Sequence, residues 1–218
     1  PVVIDAIATG YQSPTAKLQA TVVTPELDFY SLDGIRSTGS TRDDFYVRWK
    51  VPGASYSTNQ SAAEAVQVTV SIEEADPEGI VPGMYTAATG GELTTQLTFA
   101  AGSATSAWGH LAEPTSAGTY RVGVSRPGVG SWQSAVQTVT PPELGFSKTS
   151  VIVGKGLRTY TGSSTNQHDT DVRLQLYAGG REVTTATPLV VQLVSADPSR
   201  VQVPETVTVS AGRSFANF

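Results

Sequence analysis

The stretch VTVSIEEADPEGIVPG, Val68 to Gly83, writes an alternating apolar strand, then Ala-Asp-Pro, then a short apolar run ending in Val-Pro; VVQLVSADPSRVQVPETVTVSAG, Val190 to Gly212, writes the same order again. Period-two alternation places Val66, Val68, Val70 and Ile72 on one face of a strand. Proline fixes its own φ and pushes the preceding Asp out of the helical region, while the Asp side chain accepts from nearby backbone N–H groups. Each Ala-Asp-Pro therefore reads as a corner. A corner used twice marks a structural part, whereas a catalytic loop belongs in one copy.

Working outward, further blocks recur in the same order. VTPELDFYSLDGIR (Val23 to Arg36) returns as TPPELGFSKTSVIVGKGLR (Thr140 to Arg158), and Val47-Arg48-Trp49 aligns with Val172-Arg173-Leu174. LTFAAGSATSAW (Leu97 to Trp108) returns as VTVSAGRSFANF (Val207 to Phe218). Residues 3–27 in turn resemble Val122 to Leu144: strand, Gly-bearing turn, strand, then Pro-Glu-Leu. Spacings of this order, with length changes confined to Gly/Ser/Thr-rich loops, imply repeated modules. The expected organisation is a closing hairpin of a preceding domain (1–24), a complete domain (25–140) and a domain lacking its last hairpin (141–218). The opening at Pro1 reads as a mature product or an excised piece.

Within 25–140 strands are expected at Glu26–Leu32, Phe45–Val51, Ala65–Glu74, Gly79–Tyr85, Leu93–Phe99, Thr119–Ser125 and Trp132–Val139. Pro-Gly and Gly-Gly pairs punctuate them, and no helical period is sustained. Many short strands with few charges and frequent Gly and Pro predict an all-β, two-sheet sandwich. Gly118 and Tyr120 in SAGTYRVGV have the spacing of a tyrosine corner, whose hydroxyl bonds upstream backbone.

The Ser-x-Asp-Pro, Val-x-Val-Pro, Ala-Gly succession in Val190 to Phe218 resembles the repeats of bacterial cell-surface and secreted proteins with immunoglobulin-like or fibronectin III-like folds. The resemblance covers the second copy well and the first loosely. It implies a tandem array, an extracellular or bacterial-surface setting, and a structural or adhesive role without catalytic residues.

A net charge of −5 and the lack of Lys/Arg clusters argue against nucleic acid or anionic lipid as partner, and no run is long and apolar enough for a membrane helix. Cysteine is absent, so disulfides and thiolate metal sites are excluded. His110, read as a loop residue, and His168 stand in unrelated contexts with no nucleophile motif, so no catalytic residue and no enzyme activity is expected. Calcium is the one cofactor with candidate ligands: Asp43, Asp44, Asp169 and Asp171 at matching loop-to-strand positions, and Asp76 with Glu73, Glu74 and Glu78 at the first corner. Tyr56, Tyr85, Trp108 and Trp132 are candidates for stacking on sugars, and a coplanar exposed row would favour a carbohydrate-binding or accessory module.

An unclosed sandwich exposes strand edges. The segment Pro1 to Thr24 is therefore expected to complete Glu143 to Phe218 of a neighbouring copy or adjacent repeat, head to tail, by strand donation or within one long polypeptide. A stalk, adhesin or filament component, with a surface glycan or protein receptor as a further partner, is the expected role.

Overall fold

The computed structural model describes residues 2–5, 9, 12, 14, 16–53, 60–157 and 172–218. Among them the chain is all-β: β1 (Val2–Ile4), β2 (Leu18–Ala20), β3 (Glu26–Tyr30), β4 (Ile35–Ser37), β5 (Asp43–Lys50), β6 (Val66–Asp76), β7 (Met84–Tyr85), β8 (Leu93–Thr94), β9 (Gln96–Phe99), β10 (Gly109–Leu111), β11 (Gly118–Arg126), β12 (Gly130–Gln133), β13 (Gln137–Thr140), β14 (Glu143–Phe146), β15 (Arg173–Ala178), β16 (Arg181–Glu182), β17 (Leu189–Gln192), β18 (Thr206–Val209) and β19 (Phe215–Asn217).

Two sheets face each other across a first core. One has the order β3-β5-β10-β7-β8; the other has β4-β13-β11-β6-β9, with β12 also on β11. Burial follows the sequence alternation, since Val66, Val68 and Val70 of β6 and Leu97 and Phe99 of β9 point inward. They meet Leu27, Phe45, Val47, Trp49 and Leu111 from the other sheet in one buried cluster. Such interdigitation of two apolar faces is the main stabilising term of a two-layer β fold.

Several elements differ from expectation. The strand foreseen at Gly79–Tyr85 is only β7, because Gly79 and Gly83 take φ of 76° and 155° and bend the chain. Trp132–Val139 is two strands, β12 and β13, that pair successive parts of β11. β4 and β10 went unforeseen, being three residues each, too short for an alternation to register. β4 pairs β13 in parallel, while the other ladders of these two sheets are antiparallel.

A second, smaller core gathers Leu174, Leu176, Ala178, Val183, Val207 and Val209. β14, β16 and β19 flank β15, while β17 and β18 form a separate pair. Its pairings parallel those of the first core. Glu26 opposes Lys50 as Glu143 opposes Tyr177. Trp49 N–H donates to Ala104 O as Leu176 N–H donates to Ser214 O. Val66 opposes Phe99 as Leu189 opposes Val209. Ala62 exchanges bonds with Ser103 and Gly102 as Thr185 does with Arg213 and Gly212.

These pairings equate Trp49 with Leu176, not with Leu174 as the sequence alignment has it. A slip of two residues preserves which side chains face inward, so residue type alone could not detect it. The second Ala-Asp-Pro likewise falls two positions earlier relative to its strand. β6 runs on to Asp76 against β11 and carries an extra residue near Glu74, whose φ is 49°, where the ladder shifts register. Both units do turn the chain: Ile80 N–H reaches Pro77 O, and Ser199 N–H reaches Asp197 Oδ1.

Gly118 sits with φ 151° against the first corner, where a Cβ would overlap the Asp76 carbonyl oxygen. Gly118→Ala is expected to lower unfolding free energy by about 2–4 kcal/mol in urea titration, from overlap plus backbone strain. Gly102→Ala, at φ 78° with open space around it, should cost only about 1 kcal/mol.

Candidate assembly surfaces and the buried Arg36 cluster

Beneath one end of the first core lies a group of buried polar side chains from β4, β5 and β11. Arg36 and Asp43 are buried, and Tyr120 is fully so. Arg36 Nη2 donates to Thr41 O (2.9 Å) and Ala112 O (3.0 Å), and its Nη1 donates to the Tyr120 hydroxyl (3.4 Å). Asp33 N–H donates to Asp43 Oδ2 at 3.1 Å. Tyr120 thus occupies the foreseen inward position, but the partner of its hydroxyl is the Arg36 guanidinium rather than upstream backbone. Burial pushes the Asp43 carboxyl up to about 7 against the opposing pull of Arg36, with Asp33 and Asp44 also raising it. Burial likewise raises the Tyr120 phenol.

This cluster supports a joint between the two cores. Ile35, one residue before Arg36, packs against the second core, with its Cδ1 3.2 Å from where a Cβ of Gly179 would stand. Gly39 O accepts from Ala186 N–H at 2.8 Å, and the Thr41 and Thr184 hydroxyls meet at 2.8 Å. Arg36 therefore holds the carbonyl of the same Thr41 whose side chain crosses the joint. Sequence reading singled out neither Ile35 nor Arg36, although Gly-Ile-Arg and Gly-Leu-Arg stand in both copies of the block.

Those of the proposed calcium ligands that lie among the described residues are not gathered at one place. Asp43 and Asp44 are adjacent on β5, so their side chains leave opposite faces of the strand. Asp43 is buried, whereas Asp44 is exposed and bonds His110 Nδ1 across the strands. His110 lies in β10, not in a loop. Asp76 ends β6 in the other sheet. Nearby, Glu74 pairs with Arg121, and Glu73 accepts from Ser71 and Gln133. Asp169, Asp171, His168 and Tyr56 lie outside the described residues. Among the described residues no group of three or more His, Asp or Glu is placed to hold a metal ion. No helix of the described residues is long and apolar enough to cross a membrane.

The aromatic candidates disperse too. Tyr85 lies under the Arg42 guanidinium (3.6 Å), and Trp132 is half-buried against the first core. Trp108 is exposed and continues a ladder with Tyr46 and Tyr30, but it meets Tyr46 at 80°, so the three rings are not coplanar. Tyr30 and Tyr46 are directly opposed on β3 and β5, an arrangement that stabilises a sheet by side-chain packing.

Among the described residues two groups of large apolar side chains are exposed. β1 and β2 form a two-stranded pair whose Val2, Val3, Ile4 and Leu18 are all exposed, as are Val22 and Val23 after it. In the second core β17 pairs, among the described residues, with β18 alone, whereas its counterpart β6 is paired by β9 and β11 on its two edges. Leu144, Phe146, Ile152, Val190 and Val194 are exposed around that core. No family model matches the chain, and no curated protein matches it.

The raised Asp43 carboxyl has a definite pH signature. Its folded-state pKa lies above the unfolded value, so between pH about 4 and about 7 folding retains a proton that the unfolded chain releases. Stability is expected to fall across that window, by on the order of 4 kcal/mol, and to level off above it. Asp43→Asn should flatten this slope in urea titrations run from pH 4 to 8.

Proposed function

We propose that the chain is a non-enzymatic, extracellular structural or adhesive protein of tandem immunoglobulin-like β-sandwiches that join head to tail. In this reading residues 25–140 form one module, 141–218 a second that lacks its closing hairpin, and 1–24 the closing hairpin for a neighbouring copy or adjacent repeat. The two-sheet order of the first core, with its first strands β3 and β4 divided between both sheets, supports the immunoglobulin-like assignment.

One observation carries the assembly. Val22 and Val3 are the sequence counterparts of Val139 and Val122; the first pair is 86 % and 58 % exposed, the second 2 % and 0 %. The same positions are core in one setting and bare in the other. An isolated two-stranded hairpin is marginal in water, and a strand with one unpaired edge is a template for another. Docking the hairpin on β17 would give that strand the second neighbour that β6 has in β11. A joint of this kind uses two different surfaces, so it propagates into a filament or stalk instead of closing on itself. Activity then resides in reach and shape, and a bacterial surface is the setting the sequence resemblance implies.

Sedimentation velocity of the full chain over a concentration series tests this. The wild-type chain is expected to form end-to-end oligomers that grow with concentration. Val22→Asp, at an exposed side chain, should leave far-UV dichroism and unfolding unchanged while abolishing the oligomers. A wild-type chain that stays monomeric throughout, or a Val22→Asp variant that associates equally well, overturns the reading.

A further inference from the structure

A cleft of about 240 Å³ opens on the first core beside Trp49, Ala62, Ala63, Val66 and Arg126. Part of its lining corresponds to residues of the second core at or near the joint on which Ile35 packs. The pairings above equate Trp49 with Leu176, Ala62 with Thr185 and Val66 with Leu189. Ser61 and Ala63, which flank Ala62 in the cleft, then correspond to Thr184 and Ala186. Those are the two residues that bond Thr41 and Gly39 across the joint. The same backbone positions thus recur in both cores, and among the described residues those of the second core meet Gly39 and Thr41.

Trp49 is only 6 % exposed, and its indole Nε1 is buried without a hydrogen-bond partner. An unpaired buried donor is costly, and an incoming backbone carbonyl would satisfy it. The second core has Leu176 at that position and needs no such acceptor. Arg126 stands over the Trp49 ring at 5.6 Å and leaves the mouth of the cleft polar.

The matching insert is also on the chain. Gly34-Ile35-Arg36 recurs as Gly156-Leu157-Arg158. Leu157 follows a turn closed by its own N–H to Gly154 O and is 71 % exposed. Ile35 is seated on the second core, whereas Leu157 belongs to neither buried cluster among the described residues.

We infer that the Trp49–Ala63–Val66 cleft is a socket for Leu157 of a second copy of the chain, repeating between copies the contact that Ile35 makes within one. This rests on the head-to-tail reading and specifies its second contact. The hairpin of a copy completes the second core of its neighbour. The first core that follows directly through Pro25, itself a wall of the cleft, then presents the socket to the neighbour's Leu157.

The chain has no cysteine, so single thiols can be placed at will. Separately tagged Ala63→Cys and Leu157→Cys chains are mixed and treated with a short bismaleimide. A covalent heterodimer is expected, well above the yield of Leu157→Cys mixed with Glu92→Cys, beside the β8 edge. In sedimentation, Leu157→Asp should weaken wild-type association by about tenfold or more, as expected for one buried leucine. If wild-type chains associate through the hairpin but neither effect is seen, the socket assignment falls while the hairpin reading stands. If wild-type chains do not associate at all, both fall together.

Discussion

The ladder between β6 and β11 is the pairing on which the first core depends. Among the described strands β6 is the longest, and it joins β9 on one side to β11 on the other, so that Val66, Val68 and Val70, Leu97 and Phe99, and Val122 and Val124 form one apolar wall. β11 in turn holds β12 and β13, and β13 holds β4. Removing that ladder would leave half a sheet, which is the condition of the second core. There β17 and β18 reproduce the β6–β9 pairing residue for residue, but nothing among the described residues stands where β11 stands.

The cluster around Arg36 shows how a charged group is used where an apolar one would pack. A guanidinium donates in several directions at once, and here it ties a carbonyl of β10's flank, the loop after β4 and the Tyr120 hydroxyl together. Beside it, burial pushes the Asp43 carboxyl up to about 7 although Arg36 pulls it down. Because Thr41 belongs both to this cluster and to the joint, the geometry of Ile35 on the second core is set from inside the first.

Much of this was legible in the residues. The inward faces of Val66, Val68 and Val70 and of Leu97 and Phe99 follow from period two, and Tyr120 was marked by its spacing from Gly118. Other features were not, for physical reasons. Three-residue strands such as β4 and β10 carry too little pattern, and both are held by neighbours distant in sequence. The two-residue slip between Trp49 and Leu176 is invisible to any test of which face a residue takes. Asp43 and Asp44 read as a pair of turn carboxylates, and only the direction of β5 separates them into a buried acid and an exposed partner of His110. The role of Ile35 was hidden because a single apolar residue between Gly34 and Arg36 looks like an ordinary end of a loop.

The parallel contact of β4 with β13 has a mechanical meaning. β4 lies near the start of the first core's chain and β13 at its end, and the two run side by side in the same direction. Tension applied through the linkers on either side would drag them past each other lengthwise, so their bonds must give way together instead of parting one by one like a zip. A stretched molecule would meet its stiffest resistance at that short seam, and the packing around Arg36 and Tyr120 directly beneath it would decide how far it extends before yielding.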